Sequence, residues 1–243
     1  MNIVPVDWNL VEELHSEVQS NRAHTLHDYA LVRELVAFIS LMGATGIVET
    51  GTGQGGTTRF LATVFPKLPL LTCDVTAVDE FVDFPNIYSR SMASTKFLPT
   101  LRERDVGKSP FFFLDAHARS SENPLVGELT AIVDKLEQGV FDCAGVAVHD
   151  FEVPDQPHLG WNAAEFDGTD QNWETIQFVA PYVQLGLYPP GQLFSLPLYG
   201  KEFQAGTSGE PNPRGRIFLF MSLQNGPEQL AYLYFTGLFN RFI

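Results

Sequence analysis

The chain has 243 residues, 44% of them hydrophobic, and a formal net charge of −14. That length suits one α/β domain with a substantial core. The acidic balance argues against a nucleic-acid partner, whose phosphates need a basic surface, and no basic run is present to grip an anionic membrane. The stretch from Met1 to Trp8 lacks the charged and apolar regions of a signal peptide, and no apolar run reaches transmembrane length. Cys73 and Cys143, the only cysteines, lie in apolar contexts as small reduced side chains. A cytoplasmic protein is expected.

Residues 8 to 21 carry Leu10, Val11, Leu14 and Val18 at helical spacing. A second helix is predicted from Asp28 to Met42, with Gly43 as its stop. His24 and His27, in the connection, read as exposed loop histidines. Ile47-Val48 then opens a buried strand that runs into Gly51, Gly53, Gly55 and Gly56. Four more strands are predicted at Leu70–Asp74, Asn86–Ser89, Phe111–Asp115 and Gly145–His149. Helical patterns fall between them at Thr57–Val64, Ser94–Arg104 and Leu125–Gln138. Strands alternating with helices predict a doubly wound, Rossmann-like parallel sheet, and the unbroken apolar run Phe111–Leu114 fits burial on both faces.

The ending breaks that rhythm. Leu193–Tyr199 and Ile217–Ser222 read as strands, and the polar, Gly- and Pro-rich stretch between them has no helical period. Without a crossover helix these two should pair antiparallel, giving five parallel strands plus a C-terminal hairpin. The segment 152–191 reads as an insertion with a possible helix at Gln171–Tyr182. It is either packing over the sheet edge or a lid over a ligand site. The apolar tail, 223–243, packs on its own domain or on a second copy, so a monomer and a homodimer both stay open. With the helices of 1–45 in front, residues 1–243 are expected to form a single domain.

A strand, a glycine turn and a helix make a ligand-binding corner, because glycines allow close approach and the helix N-terminus offers free N–H groups. Gly51-x-Gly53-x-x-Gly56 satisfies a dinucleotide fingerprint. Glu49-x-Gly51-x-Gly53-x-Gly55 satisfies the acidic glycine motif of S-adenosylmethionine (SAM) enzymes. A purely structural turn is the third reading. A carboxylate at Glu49 suits a ligand carrying an ammonium and a sulfonium better than a pyrophosphate, since like charges repel.

Beyond the glycine motif, Asp74 ends the second strand. Phe113-Leu-Asp115-Ala-His117 and Val148-His149-Asp150 end the fourth and fifth, and Ser91-Met-Ala-Ser94 follows the third. On these residues the chain, from about Leu31 to Ser222, resembles a class I SAM-dependent methyltransferase. The closer likeness is to the small-molecule O-methyltransferases of the catechol and macrocin types. The resemblance implies their seven-strand fold, SAM as cofactor and a small hydroxylated acceptor such as a sugar or natural-product scaffold. It implies that Glu49, Gly51, Gly53, Gly55 and Thr57 serve the glycine corner, with Glu49 and Thr57 at the amino acid part of SAM. Asp74 would take the ribose and Ser94 the adenine loop. It further implies a divalent cation held by Asp115, His149 and Asp150, with Asp115, His149 and His117 as the catalytic candidates. His149 stands where metal-dependent relatives have an Asp. Magnesium prefers oxygen ligands and imidazole suits transition metals, so either ion class stays open.

Each of these residues also has a plain reading. Asp115 is a common helix-capping type, His149 a structural hydrogen-bonding histidine, and His117 an inert exposed one. The competing functions are a nicotinamide-dependent oxidoreductase built on the same glycine corner and a non-catalytic SAM- or metabolite-binding protein.

Overall fold

The computed structural model describes residues 3–20, 29–76, 81–117, 124–152, 171–188, 192–194 and 216–223. His24, His27, most of the insertion, the polar stretch before Arg216 and the apolar tail lie outside these residues. Helices α1 (Trp8–Ser20) and α2 (Tyr29–Met42) precede strand β1 (Gly46–Thr50). Then follow α3 (Gly56–Val64), β2 (Leu70–Asp74), β3 (Ile87–Ser91), α4 (Ser94–Phe97), α5 (Glu103–Val106) and β4 (Pro110–Leu114). The chain continues through α6 (Pro124–Glu137), β5 (Cys143–His149), α7 (Trp173–Ile176), β6 (Val183–Tyr188), β7 (Gln192–Phe194) and β8 (Arg216–Ser222).

The eight strands form one sheet in the order β3-β2-β1-β4-β5-β8-β6-β7. The first five are mutually parallel, and β8, β6 and β7 close the sheet antiparallel. Every residue of β1, β4 and β8 is buried, as central strands covered on both faces require. Alternation sorts β4 between two cores. Phe111 and Phe113 join the core of α1, α2 and α3, while Phe112 and Leu114 join that of α4 and α6. On the first face Phe38 of α2 meets Phe111 and Phe218 at ring-centroid distances of 5.9 and 5.4 Å.

The doubly wound sheet and its antiparallel ending match the sequence reading, with three differences. First, the described part of the strand expected at Leu193–Tyr199, residues 193–194, lies in β7 and pairs with β6, in place of the expected pairing with β8. Strand β8 inserts between β5 and β6. Val183, Leu185 and Leu187 of β6 carry a period-two pattern that fits a strand, within a segment read as insertion. Second, the helix expected over Ser94–Arg104 breaks. Pro99 has no N–H to donate, so Leu98–Thr100 tightens into a 3₁₀ turn. A new helix, α5, then starts, with the Asp105 carboxylate accepting from the Arg102 N–H at 2.9 Å. Third, the helix expected at Gln171–Tyr182 is one α-turn followed by a 3₁₀ segment that contains Pro181.

Tight joints hold α5 under β1. Thr45 donates its hydroxyl to the Val106 carbonyl at 2.7 Å, and a Cβ added at Gly46 would lie 2.8 Å from the Cα and carbonyl oxygen of Val106. Gly46→Ala should therefore destabilise the fold by about 1–3 kcal/mol through overpacking against backbone that cannot yield. Urea denaturation measures this; an unchanged midpoint would show that α5 moves freely against β1.

Candidate active site

The strand order reverses between β1 and β4, and open α/β sheets bind ligands at such a switch, outside the carboxyl ends of the parallel strands. The ladders place Thr50 beside Cys73 and Leu114, and Leu114 beside Val148. The residues that follow, Gly51, Asp74, Asp115 and His149, thus emerge at one edge.

Gly51 has φ +80°, and a Cβ there would lie 2.4 Å from the Asp115 carbonyl oxygen. Only glycine lets the turn after β1 pass the chain leaving β4. Gly53, at φ +52°, donates its N–H to Asp74 at 2.9 Å, and a Cβ there would meet nothing within 4 Å. Gly55, at φ +75°, caps α3. A left-handed backbone with open space beside it, next to a helix N-terminus, fits a bound cofactor's approach.

Asp74 accepts the Gly53 N–H on one oxygen and the N–H and hydroxyl of Thr76 on the other. Partial burial pushes its pKa up, but these hydrogen bonds outweigh that and hold the carboxyl below its usual range.

Glu49 behaves differently from the sequence reading. It is 1% exposed, and its carboxylate accepts from Thr58 and, at 2.7 Å, from Thr72. Burial pushes its pKa up to about 7. A Glu49 side chain so enclosed ties β1 to α3 and β2; it does not present itself to a ligand. Thr57 in the first turn of α3 is buried, and its hydroxyl has no hydrogen-bond partner among the described residues.

Ser94 begins α4 and is buried too, with its hydroxyl turned to Glu128 of α6. Sequence reading missed Glu128. Its signal was a carboxylate on the apolar stripe Leu125, Leu129 and Ile132. Burial pushes its pKa up to about 7, with Ser94 and Thr50 hydroxyls opposing.

Asp115, His117, His149 and Asp150 converge. His149 Nδ1 lies 2.9 Å from Asp115 and 3.6 Å from Asp150. His117 Nε2 lies 3.3 Å from Asp115 and 3.2 Å from Asp150, and its Nδ1 is 3.1 Å from the Gln171 amide. Consecutive strand residues point to opposite faces, so His149 and Asp150 converge only because the strand has ended. Asp150 adopts φ +54°, the one left-handed non-glycine among the described residues. One ligand atom from each of the four lies within 4.8 Å of the others.

Burial alone would lower both imidazole pKa values. The carboxylates override it, raising His117 to about 9 and raising His149. Conversely, burial would raise Asp115, but His149 and His117 hold it at about 2; Asp150 is also lowered, chiefly by His149, against its own burial. His117 accordingly keeps its proton at neutral pH in this arrangement, and a base role there requires that proton to leave first.

No family model matches the chain, and no curated protein does. Among solved structures, a putative O-methyltransferase from Klebsiella pneumoniae superposes with a TM-score of 0.51 at 16% identity, over 90% of this chain and 92% of that one. The chain has the methyltransferase fold. An O-methyltransferase from Bacillus cereus in complex with SAH gives 0.49 at 15% identity, over 90% and 93% of the two chains. TomG from Streptomyces achromogenes, an O-methyltransferase involved in tomaymycin synthesis and solved with SAM, gives 0.48 at 15%, over 91% and 92%. At these identities the likeness is one of fold.

Glu49 and Glu128 give the site a pH signature. Their folded pKa values, about 7, exceed the unfolded value of 4.5, so between these limits the folded chain holds protons that the unfolded chain has released. Stability must fall as pH rises through that window, by up to about 1.4 kcal/mol per pH unit for each group. Up to about pH 5.5 the histidines are largely protonated in both states; above that, His117 and His149, raised in the fold, add a slope of the same sign that Glu128→Gln leaves in place. Urea melts between pH 4.5 and 6.5 should show this slope, and Glu128→Gln should flatten it. An unaltered slope in the variant would show that Glu128 does not titrate there.

Proposed function

We propose that this protein is a SAM-dependent methyltransferase that methylates a hydroxyl of a small molecule, such as a sugar or natural-product scaffold. The observation that carries this reading is the glycine turn at the strand switch, where Gly53 has open space beside it and donates to the charged Asp74 at the end of the next strand. Such a corner, in a sheet that closes antiparallel through β8 and lacks an uninterrupted dinucleotide fold, suits SAM. That disfavours the nicotinamide alternative.

Bound SAM would supply a methyl group on an electrophilic sulfonium. The chain's work is to orient the acceptor, exclude water and remove its hydroxyl proton. Gly53 leaves room at the turn, and the α3 N-terminus with Thr57 offers donors to a carboxylate. Asp74, charged and partly exposed at the turn, is placed to receive a ribose hydroxyl. Asp115, His149 and Asp150 face the acceptor side. A divalent cation held there would lower the hydroxyl's pKa; otherwise His149 or His117 takes the proton.

No helix among the described residues is long and apolar enough to cross a membrane. With Cys73 and Cys143 both free, a reducing cytoplasm suits the chain, as monomer or homodimer.

Calorimetry should show binding of SAM or S-adenosylhomocysteine and none of NAD. Asp74→Ala should weaken that binding at least about tenfold, ~1.4 kcal/mol, by removing charge-assisted hydrogen bonds. NAD binding with no response to SAM would overturn the proposal. Asp150→Asn tests the acceptor side, because asparagine tolerates the left-handed backbone while losing the charge. Turnover should disappear with SAM affinity nearly unchanged. An active variant would remove Asp150 from the reaction.

A further inference from the structure

The His–Asp cluster carries a more specific reading than a general cation site. Two imidazole nitrogens and two carboxylate oxygens come from two short segments that follow adjacent parallel strands. Ligand atoms at 2.0–2.2 Å from a tetrahedral centre stand about 3.3–3.6 Å apart. The four His–Asp separations here are 2.9, 3.2, 3.3 and 3.6 Å, with Asp150 turning a different oxygen to each histidine. All four ligand atoms lie within 4.8 Å of one another, so a modest contraction of the remaining separations closes them on one ion.

The surroundings match as well. The far nitrogen of His117 lies 3.1 Å from the Gln171 amide, whose oxygen, with the amide turned over, accepts the Nδ1–H that a metal-bound imidazole carries. The His149 ring packs against Phe113 with centroids 6.0 Å apart, which fixes its plane. Asp150 holds its left-handed backbone at the same spot, and such outliers persist where the surroundings over-determine them.

We propose that Asp115, His117, His149 and Asp150 together form a four-ligand site for a borderline-soft divalent transition metal of the zinc class, and that magnesium is not its ion. His117 is the member that the three-residue set lacked. The mixed nitrogen and oxygen donors suit zinc or cobalt, whereas magnesium demands near-octahedral oxygen ligands. The reading concerns the same edge as the proposed methyl transfer but needs neither cofactor nor acceptor.

The test uses the full chain, dialysed against a chelator and titrated separately with Zn²⁺, Co²⁺ and Mg²⁺. One zinc per chain should bind, at least about a hundredfold more tightly than magnesium. Co²⁺ should give the intense visible bands of a tetrahedral site. His149→Ala should abolish the cobalt spectrum, and His117→Ala, at a half-buried position, should weaken zinc at least about tenfold. Circular dichroism checks that each variant is folded. Binding of magnesium as tight as zinc, or zinc binding unaltered in both folded variants, would overturn the site, as would no zinc binding at all. In that last case the four residues are a self-paired ion cluster. SAM titration of the same samples keeps the outcomes separate: SAM without zinc removes only the metal site, and zinc without SAM removes only the proposed function.

Discussion

Negative charge crowded at one edge of a parallel sheet is the constraint on which this site depends. Three devices accommodate the acids there. Glu49 is buried under the hydroxyls of Thr58 and Thr72, and Glu128 beside those of Ser94 and Thr50, so both favour the protonated form near neutral pH. Asp74 stays charged on hydrogen bonds from the glycine turn and Thr76. Asp115 and Asp150 stay charged against His117 and His149. The acids closest to the core are thus the ones whose charge burial suppresses, and those toward the crevice keep theirs.

Much of this was legible in the sequence because parallel strands announce their own ends. Apolar runs stop at the first polar residue, and those residues, Asp74, Asp115 and His149-Asp150, share an edge once the strands are parallel. The rest depended on tertiary facts with no local sign. Glu49 is a strand-end acid like the others, yet two threonines from α3 and β2 enclose it. His117 lies three residues beyond β4, and only the turn of the chain after that strand brings it back beside Asp115 and Asp150. The β6 strand was hidden for a different reason. Its alternation is local, but its partner β8 lies about thirty residues further on, across a stretch with no regular pattern.

Two carboxylates at neighbouring strand ends, Asp115 and Asp150, cannot both stay charged unpaired. The structure supplies the pairing from within, through two imidazoles whose pKa values rise in response. A cation at this place would therefore replace bound protons, not fill an electrostatic void, and its affinity would weaken as pH falls. That moves the weight of any metal assignment from net charge to donor type and spacing.

The edge is also braced from behind. β8 enters the sheet with Arg216 opposite His149 in the ladder, and Arg216 pairs with Glu34 of α2 at 2.5 Å. Both side chains are buried, at 5% and 1% exposure. A buried pair offsets its own desolvation with difficulty, so its stabilising contribution is small, while losing one partner strands the other charge. Its consequence is geometric. The pair locks the start of β8 to α2 beside the strand that ends in His149. An antiparallel strand drawn from the far end of the chain thereby fixes the position of a side chain that the parallel half of the sheet delivers. The site thus draws on both halves of the fold, which explains why its last members could not be assembled from the parallel strands alone.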